Sequence, residues 1–261
     1  MYIESKLEEI DEALFSIDLS EVRDPNILQE KIAGPTYSWL KAKTKIQFTK
    51  GLFIVDTYFE NDRDLTDIFS ISGEYIQISY LGKGDSHLMC AKESKPVGIG
   101  CVNCCYNRNT ITTIKMPANS PTHYQALFLS KEYYLQLLKD EAWVANNSFH
   151  KNIMEGEFLE WGTCKYPIDY NLYHILNEVT RGDWKRDFKK YYLDLRLKEI
   201  FLSLHLCQEE LERATFKGVK DENLEKIKTA HAYLIEHFKN PPTIKELARK
   251  VLLNELQLKR D

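Results

Sequence analysis

The sequence predicts an α+β chain: an antiparallel β barrel or double-sheet jelly roll, followed by helices and a partial helix-turn-helix. Three observations carry this. Between Ile46 and Leu129, short β-branched and aromatic runs recur, separated by glycine, proline and asparagine turns, with no helical period between them. After Ser130 the apolar spacing lengthens to steps of three and four. From Glu222 to Asp261, two short capped helical segments follow a longer one.

Taken in order, residues 1–30 place Leu7, Ile10, Leu14 and Ile17 at helical steps among acids, so a surface helix is expected there. From Ile46 the period changes. GLFIVDTYFE, from Gly51 to Glu60, is β-branched and aromatic, and YIQISYL, from Tyr75 to Leu81, alternates before the Gly82 and Gly84 turn. Strands are expected again at 86–90, 100–106, 110–116 and 123–129. Many short strands without intervening helices fit a barrel or jelly roll.

Ser130 reads as the N-cap of a helix over 131–139, and the sheet is expected to end before Asp140. Leu172, Ile175, Leu176 and Val179 give a short amphipathic helix, with Gly182 as its C-terminal cap. From Phe188 to Ala214, Leu193, Leu197, Ile200, Leu204, Cys207 and Leu211 recur at alternating steps of four and three, a heptad seam. The other side of that helix carries Tyr192, Leu195, Leu202 and Leu206. Two apolar faces imply that one meets the chain's own core and one wants a partner, so a homodimer through the 188–214 helix is weighed against a helix buried wholly in its own chain.

At 261 residues, 43% hydrophobic and 28% charged, the chain can bury one large or two modest cores. A net charge of −4 excludes a chain that coats nucleic acid along its whole length, so any DNA affinity is local. There is no run of about 18 apolar residues and no charged-then-apolar leader at Met1, so no membrane span is expected and the cytoplasm is the expected location. Cys101, Cys104 and Cys105 cluster in an apolar run, while Cys90, Cys164 and Cys207 stand apart. A zinc site would need a second close pair, so reduced thiols packed in a sheet are expected, with no metal or cofactor.

The end of the chain carries the clearest mechanism. Leu224, Ile227, Ala230, Leu234 and Phe238 form the apolar face of a supporting helix, which Asn240, Pro241 and Pro242 stop. Thr243 and Glu246 form a capping box for a short helix whose apolar face is Ile244, Leu247, Ala248 and Val251. A third helix starts at Asn254, with Gln257 at its third position. This is the layout of a helix-turn-helix. On the third helix Leu256, Lys259 and Arg260 share a face, while Leu253 and Leu258 turn inward against Leu247 and Val251.

Candidate DNA-binding residues are therefore Thr243, Leu256, Gln257, Lys259 and Arg260. Arg260 suits guanine O6 and N7, Lys259 a base or a phosphate, and Leu256 a thymine methyl. Thr243 suits a phosphate, and Gln257 is read equally as a contact and as a solvated face residue. From Thr243 to Arg260, five basic side chains stand against two acidic ones, a local positive patch.

The runs PTIKELARKV, from Pro242, and LNELQLKR, from Leu253, resemble the first helix-turn-helix of the AraC/XylS family of bacterial transcription regulators. Two departures matter. Leu252 stands where that family has its turn glycine, so this turn is either strained or different. The chain ends at Asp261, ahead of the family's second helix-turn-helix, so the module is expected to be partial, a fragment or a truncated product. A lone module contacts few base pairs and is expected to bind poorly.

A β-rich body before this module is similar to the AraC plan. The resemblance implies a cupin-like effector domain at 1–165, a helical hairpin at 166–215 suited to dimerisation, a linker at 216–220 and a partial DNA-binding domain at 221–261. YIQISYLGKG from Tyr75 and DLRLKEI from Asp194 are similar to the subgroup that includes pyochelin-type siderophore regulators. The implied function is transcription regulation, with DNA, a small-molecule effector and a second copy of the chain as partners. A small barrel often holds a ligand in its mouth, and His87, Tyr106, His123 and Tyr124 are candidates to line one, with none assigned. One alternative is a sensing or dimerisation module without DNA binding. The other is a metal-dependent cupin enzyme, but no two histidines lie two residues apart and no phosphate loop or nucleophile elbow is present, so catalysis is not expected.

Overall fold

The computed structural model describes residues 1–84, 86–90, 93–96, 99–182, 188–216, 226–227, 229–230, 233–234, 237 and 241–260. The side chains of 88–90, 93–96, 212–216, Gln257 and Arg260 lie outside this description. The chain divides into two units, Met1–His205 and Leu206–Asp261. Among the described residues the first unit holds eleven strands: β1 Tyr2–Leu7, β2 Glu12–Asp18, β3 Gln29–Ala33, β4 Leu40–Thr49, β5 Leu52–Asn61, β6 Leu65–Lys83, β7 His87–Cys90, β8 Glu93–Pro96, β9 Cys101–Met116, β10 Thr122–Ser130 and β11 Leu159–Pro167. Every pairing between them is antiparallel. The main path runs β3-β4-β5-β10-β6-β9-β7-β8, with β1 and β2 added beside β6 and β11 beside β9.

The long strand β6 explains why this sheet curls. Its first half, Asp67 to Ile71, pairs with β1, whereas its second half, Tyr75 to Lys83, pairs with β10. The change of neighbour falls at Gly73, where φ is +92° and the register with β9 slips between Ile71 and Glu74. Such a bulge bends a strand and raises its twist, and the positive φ suits glycine. One strand thus serves both layers of a nearly closed barrel. The fold class expected from the sequence, an antiparallel barrel followed by helices, holds on this topology.

Three expectations are corrected. Residues 1–30 form no surface helix: they give β1, β2, two 3₁₀ turns and the start of β3. In β1, Ile3, Ser5 and Leu7 are buried at a period of two, and the turn Glu8–Ile10 closes with Asp11 at φ +53°. That turn between two strands mimics helical spacing from Leu7 to Ile17. The sheet also continues past Asp140, because β11 pairs with β9. Finally, 100–106 and 110–116 are one strand, β9, continuous through Asn109 at φ +50°.

Helices α1 Lys131–Leu138, α2 Ser148–Glu155 and α3 Tyr170–Arg181 follow, then α4 Lys189–Phe216. Ser130 caps α1 by accepting from Tyr133 N, and Asp169 caps α3 by accepting from Leu172 N. At the other end of α3, Gly182 takes φ +62° and Gln47 Nε2 on β4 donates to Thr180 O at 2.7 Å. Carbonyls that a helix terminus leaves unpaired are thus met by the sheet. On α4, Leu193, Leu197, Ile200 and Leu204 are buried, while Tyr192, Leu195, Leu202 and Leu206 are exposed. At one edge of the sheet, β3 is exposed along most of its five residues, and Glu30 pairs there with Lys189, the first residue of α4.

The barrel interior is filled. Phe15, Phe53, Phe69, Phe128 and Tyr75 form a chain of rings with centroids 5.3–6.1 Å apart. Alternation along β6 also puts Asp67 on this buried face, between Leu65 and Phe69, where Ser5 Oγ donates to it at 2.7 Å. Burial raises the Asp67 carboxyl from 3.8 to about 7, against the lowering effect of the Ser5 and Lys6 hydrogen bonds. The folded state therefore holds this proton more tightly than the unfolded chain. Its contribution to stability is fully present below about pH 4, is lost as pH rises towards 7, and is flat above that. At about 1.4 kcal/mol per pH unit, the difference is about 4–5 kcal/mol as an upper bound. Asp67→Asn should therefore raise the thermal midpoint relative to the parent at about pH 8 and change it little at about pH 4. Melting curves at both pH values check this, and a gain that is equal at both would refute it.

Candidate nucleic-acid interface and effector cleft

In the second unit, α5 spans Ile244–Lys250 and α6 spans Glu255–Arg260. The capping box is complete. Thr243 Oγ1 accepts from Glu246 N at 3.3 Å, and the Glu246 carboxylate accepts from Thr243 N and Oγ1, both at 2.8 Å. These hydrogen bonds hold the Glu246 carboxyl below its ordinary range. They also occupy the Thr243 hydroxyl and place a carboxylate where a phosphate would approach.

The turn after α5 settles the question raised by Leu252. Leu253 N donates to Ala248 O at 3.0 Å and Leu252 N to Arg249 O at 3.4 Å, the paired bonds of a Schellman cap. Leu252 takes the left-handed position of that cap at φ +55°, with 80% of its surface exposed. A side chain there is strained by about 1–2 kcal/mol, with no burial to offset it.

Leu247, Val251 and Ala230 form a buried cluster with Tyr233, Leu253 and Leu258 packed against it. The supporting segment is helical at 226–227, 229–230 and 233–234, and Lys250 Nζ lies 5.2 Å from the Tyr233 ring centroid. The expected inward turn of Leu253 and Leu258 is present. Leu256 is 79% exposed and Lys259 is exposed, three residues apart along α6. The side chains of Gln257 and Arg260 lie outside the described residues, as does the expected linker beyond Phe216.

The four candidates for a ligand in the barrel mouth do not converge. His87 is exposed on β7. Tyr106 is buried beside α1 and donates to Glu74 Oε2 at 2.7 Å. His123 pairs through Nε2 with Asp56 Oδ1 at 2.6 Å. Tyr124 faces the interior, accepts from Gln77 Nε2 at 3.1 Å, and has its phenol raised by burial. The void beside it, lined by Asp67 and Ser86, is about 20 Å³, the size of a single water.

A larger space lies outside the barrel. A cleft of about 830 Å³, within the range of small-molecule sites, opens between the 19–26 segment, α1 and the first turns of α4. Its lining includes Leu19, Pro25, Leu137, Tyr191 and Leu195, a mainly apolar set. Beside these, Tyr133 Oη donates to Asp194 Oδ1 at 2.6 Å, and Lys190 Nζ reaches Asp194 at 2.6 Å and stands 4.9 Å from the Tyr133 ring centroid. Burial, then the Asp194 charge, raises the Tyr133 phenol. Sequence reasoning missed this cleft because its walls come from segments far apart in the sequence; the Lys190 and Asp194 pair at i, i+4 was the one local signal. Among the described residues, no three His, Cys, Asp or Glu side chains gather as metal ligands, and no helix is long and apolar enough to cross a membrane.

No protein-family model matches the chain, and no curated protein matches it. Among solved structures it is similar to the AraC-like transcriptional activator CuxR, at 12% identity and a TM-score of 0.37, over 89% of this chain and 79% of that one. It is similar to an RmlC-like cupin from Shewanella frigidimarina at 16% identity and a TM-score of 0.27, over 39% of this chain and 84% of that one. It is also similar to the bacterial pirin YhhW from Escherichia coli, solved with nickel(II), at 12% identity and a TM-score of 0.30, over 40% and 52%. Likenesses of this degree leave function to the residues themselves.

Replacing Leu252 with glycine should relieve the left-handed strain, partly offset by the greater freedom of glycine in the unfolded chain, for a net gain of about 0.5–1 kcal/mol. Thr243→Ala should lose about 1 kcal/mol by removing the cap. Native-state hydrogen exchange at the amides of 247–253 checks both, and weaker protection in Leu252→Gly would contradict the strain assigned here.

Proposed function

We propose that the chain is a DNA-binding transcription regulator of the AraC kind, in which α6 reads the major groove. The observation that carries this is the pair of short helices closed by a capping box and a Schellman turn, with Leu256 and Lys259 outward and Leu253 and Leu258 inward. In this reading Lys259 contacts a phosphate or base, Leu256 a thymine methyl, and Gln257 and Arg260 complete the face by their places in the sequence. Thr243 serves the interface by anchoring α5, since its hydroxyl is held by Glu246. The protein would work in the cytoplasm, on DNA.

Two further parts belong to the proposal. The outward stripe of α4 beyond the cleft, Tyr192, Leu202 and Leu206, is the contact with a second copy, which brings two reading modules to one site. The effector is a small amphipathic molecule held in the cleft on α4 rather than in the barrel, because the barrel is filled with aromatic rings and the cleft has an apolar lining beside a network of paired charges.

Fluorescence anisotropy with labelled random-sequence duplex DNA, repeated across salt concentrations, tests the reading. Affinity should fall as salt rises, and Lys259→Ala should weaken binding and reduce the magnitude of the log–log salt slope by about 1. Binding that ignores salt, or that is unchanged when Lys259 and Arg260 are both alanine, would remove α6 from the interface. For the second copy, Leu202→Glu with Leu206→Glu should lower the sedimentation mass from dimer to monomer while leaving the circular dichroism spectrum unchanged. An unaltered mass would exclude this stripe.

A further inference from the structure

Strand β11 meets β9 in a register that sets two cysteines face to face. Cys164 is directly opposite Cys104, Tyr166 opposite Val102 and Pro167 opposite Cys101. One step on in this register, Ile168 N donates to Gly100 O at 3.0 Å, so the pairs alternating from it, including Cys164 and Cys104, are hydrogen-bonded pairs of the ladder. In such a pair the Cα atoms stand about 5.5 Å apart, inside the range that disulfides span. Directly opposed residues also project from the same face of the sheet.

The other two cysteines of β9 do not compete for this partner. Cys105, next along β9, projects to the opposite face, where its thiol approaches Gln77 Oε1 at 3.7 Å. Cys101 faces Pro167. Cys104 and Cys164 are both free thiols, the first buried and the second partly exposed. Cys104 also lines a small void beneath Phe201, Leu204 and His205 of α4.

We propose that Cys104 and Cys164 are an oxidation site, a cross-strand dithiol that closes to a disulfide when the protein meets a hydroperoxide. The more exposed sulfur, Cys164, attacks the terminal oxygen of the peroxide through the small thiolate fraction left by burial, which raises this thiol above its ordinary range, forming a sulfenic acid and releasing an alcohol or, from hydrogen peroxide, water. The Cys104 sulfur then displaces the sulfenic oxygen as water, and the S–S bond forms. Two thiols are oxidised, one peroxide is reduced, and the two thiol hydrogens leave in the products. The bond ties β11 to β9 at the layer on which α4 rests. The inference holds whether or not the DNA-binding reading does.

The test treats the purified full chain with hydrogen peroxide, blocks remaining thiols, and maps peptides without reduction. The expected product is a peptide pair joined between Cys104 and Cys164 of one chain, with no covalent link between copies, that separates when a dithiol reductant is added. Fragmentation spectra must assign the link to Cys104 and not to Cys101 or Cys105. A Cys164 that proceeds to sulfinic acid with Cys104 unlinked, a link to any other cysteine, or two thiols left intact would overturn the proposal. In Cys104→Ser, shown to be folded by its circular dichroism, Cys164 should instead accumulate as sulfenic and sulfinic acids. The wild-type map decides the matter if that variant does not fold.

Discussion

The bend in β6 at Gly73 is the constraint on which the first unit depends. A strand that kept one register from Leu65 to Lys83 would pair with one neighbour on each side and build a flatter sheet. By slipping register at a left-handed glycine, β6 passes from β1 to β10 and carries the barrel around its own axis. The aromatic chain from Phe15 to Phe128 then has walls on both sides, and the interior closes over Asp67. A buried carboxyl is a costly component of such a core, tolerated here because Ser5 and the β1 backbone hold it.

The same closure pushes ligand-sized space to the outside. With rings filling the barrel, the large cleft forms where α1 and α4 lean on its flank, and Tyr133, Asp194 and Lys190 join those two helices. Asp194 accepts from both partners, so removing it would leave a half-buried phenol and a largely buried ammonium without this acceptor. This hub gives α4 one anchored face, and the apolar stripe opposite is left outward.

Signals that act within a few residues were legible in the sequence. The caps at Ser130 and Thr243, the glycine at the end of α3 and the inward turn of Leu253 and Leu258 all depend on neighbours three to five residues away. β5, the second half of β6 and β10 were legible because β-branched and aromatic residues dominate them, whereas the first half of β6 and all of β8 were not read as strands. Elements that needed distant information were not. In β1 and β2 a three-residue turn shifted the phase of the alternation, so Leu7, Ile10, Leu14 and Ile17 fell at helical steps by accident. In β11 a bulge between Leu159 and Cys164, with Gly162 at φ +87°, broke a pattern already short. The cleft brings residue 19 beside residue 195, and no local rule reports that.

One rim of the sheet ends on β3, whose outer backbone groups have no further strand to bond among the described residues. Bare rims of this kind invite copies of a protein to stack into fibrils. Here the rim is only five residues long, stops at Gly34 and Pro35, bears the opposite charges of Glu30 and Lys31, and has Glu30 tethered by Lys189. Brevity and charge together make the strand a poor template, so the barrel can stay open along this side without seeding its own aggregation.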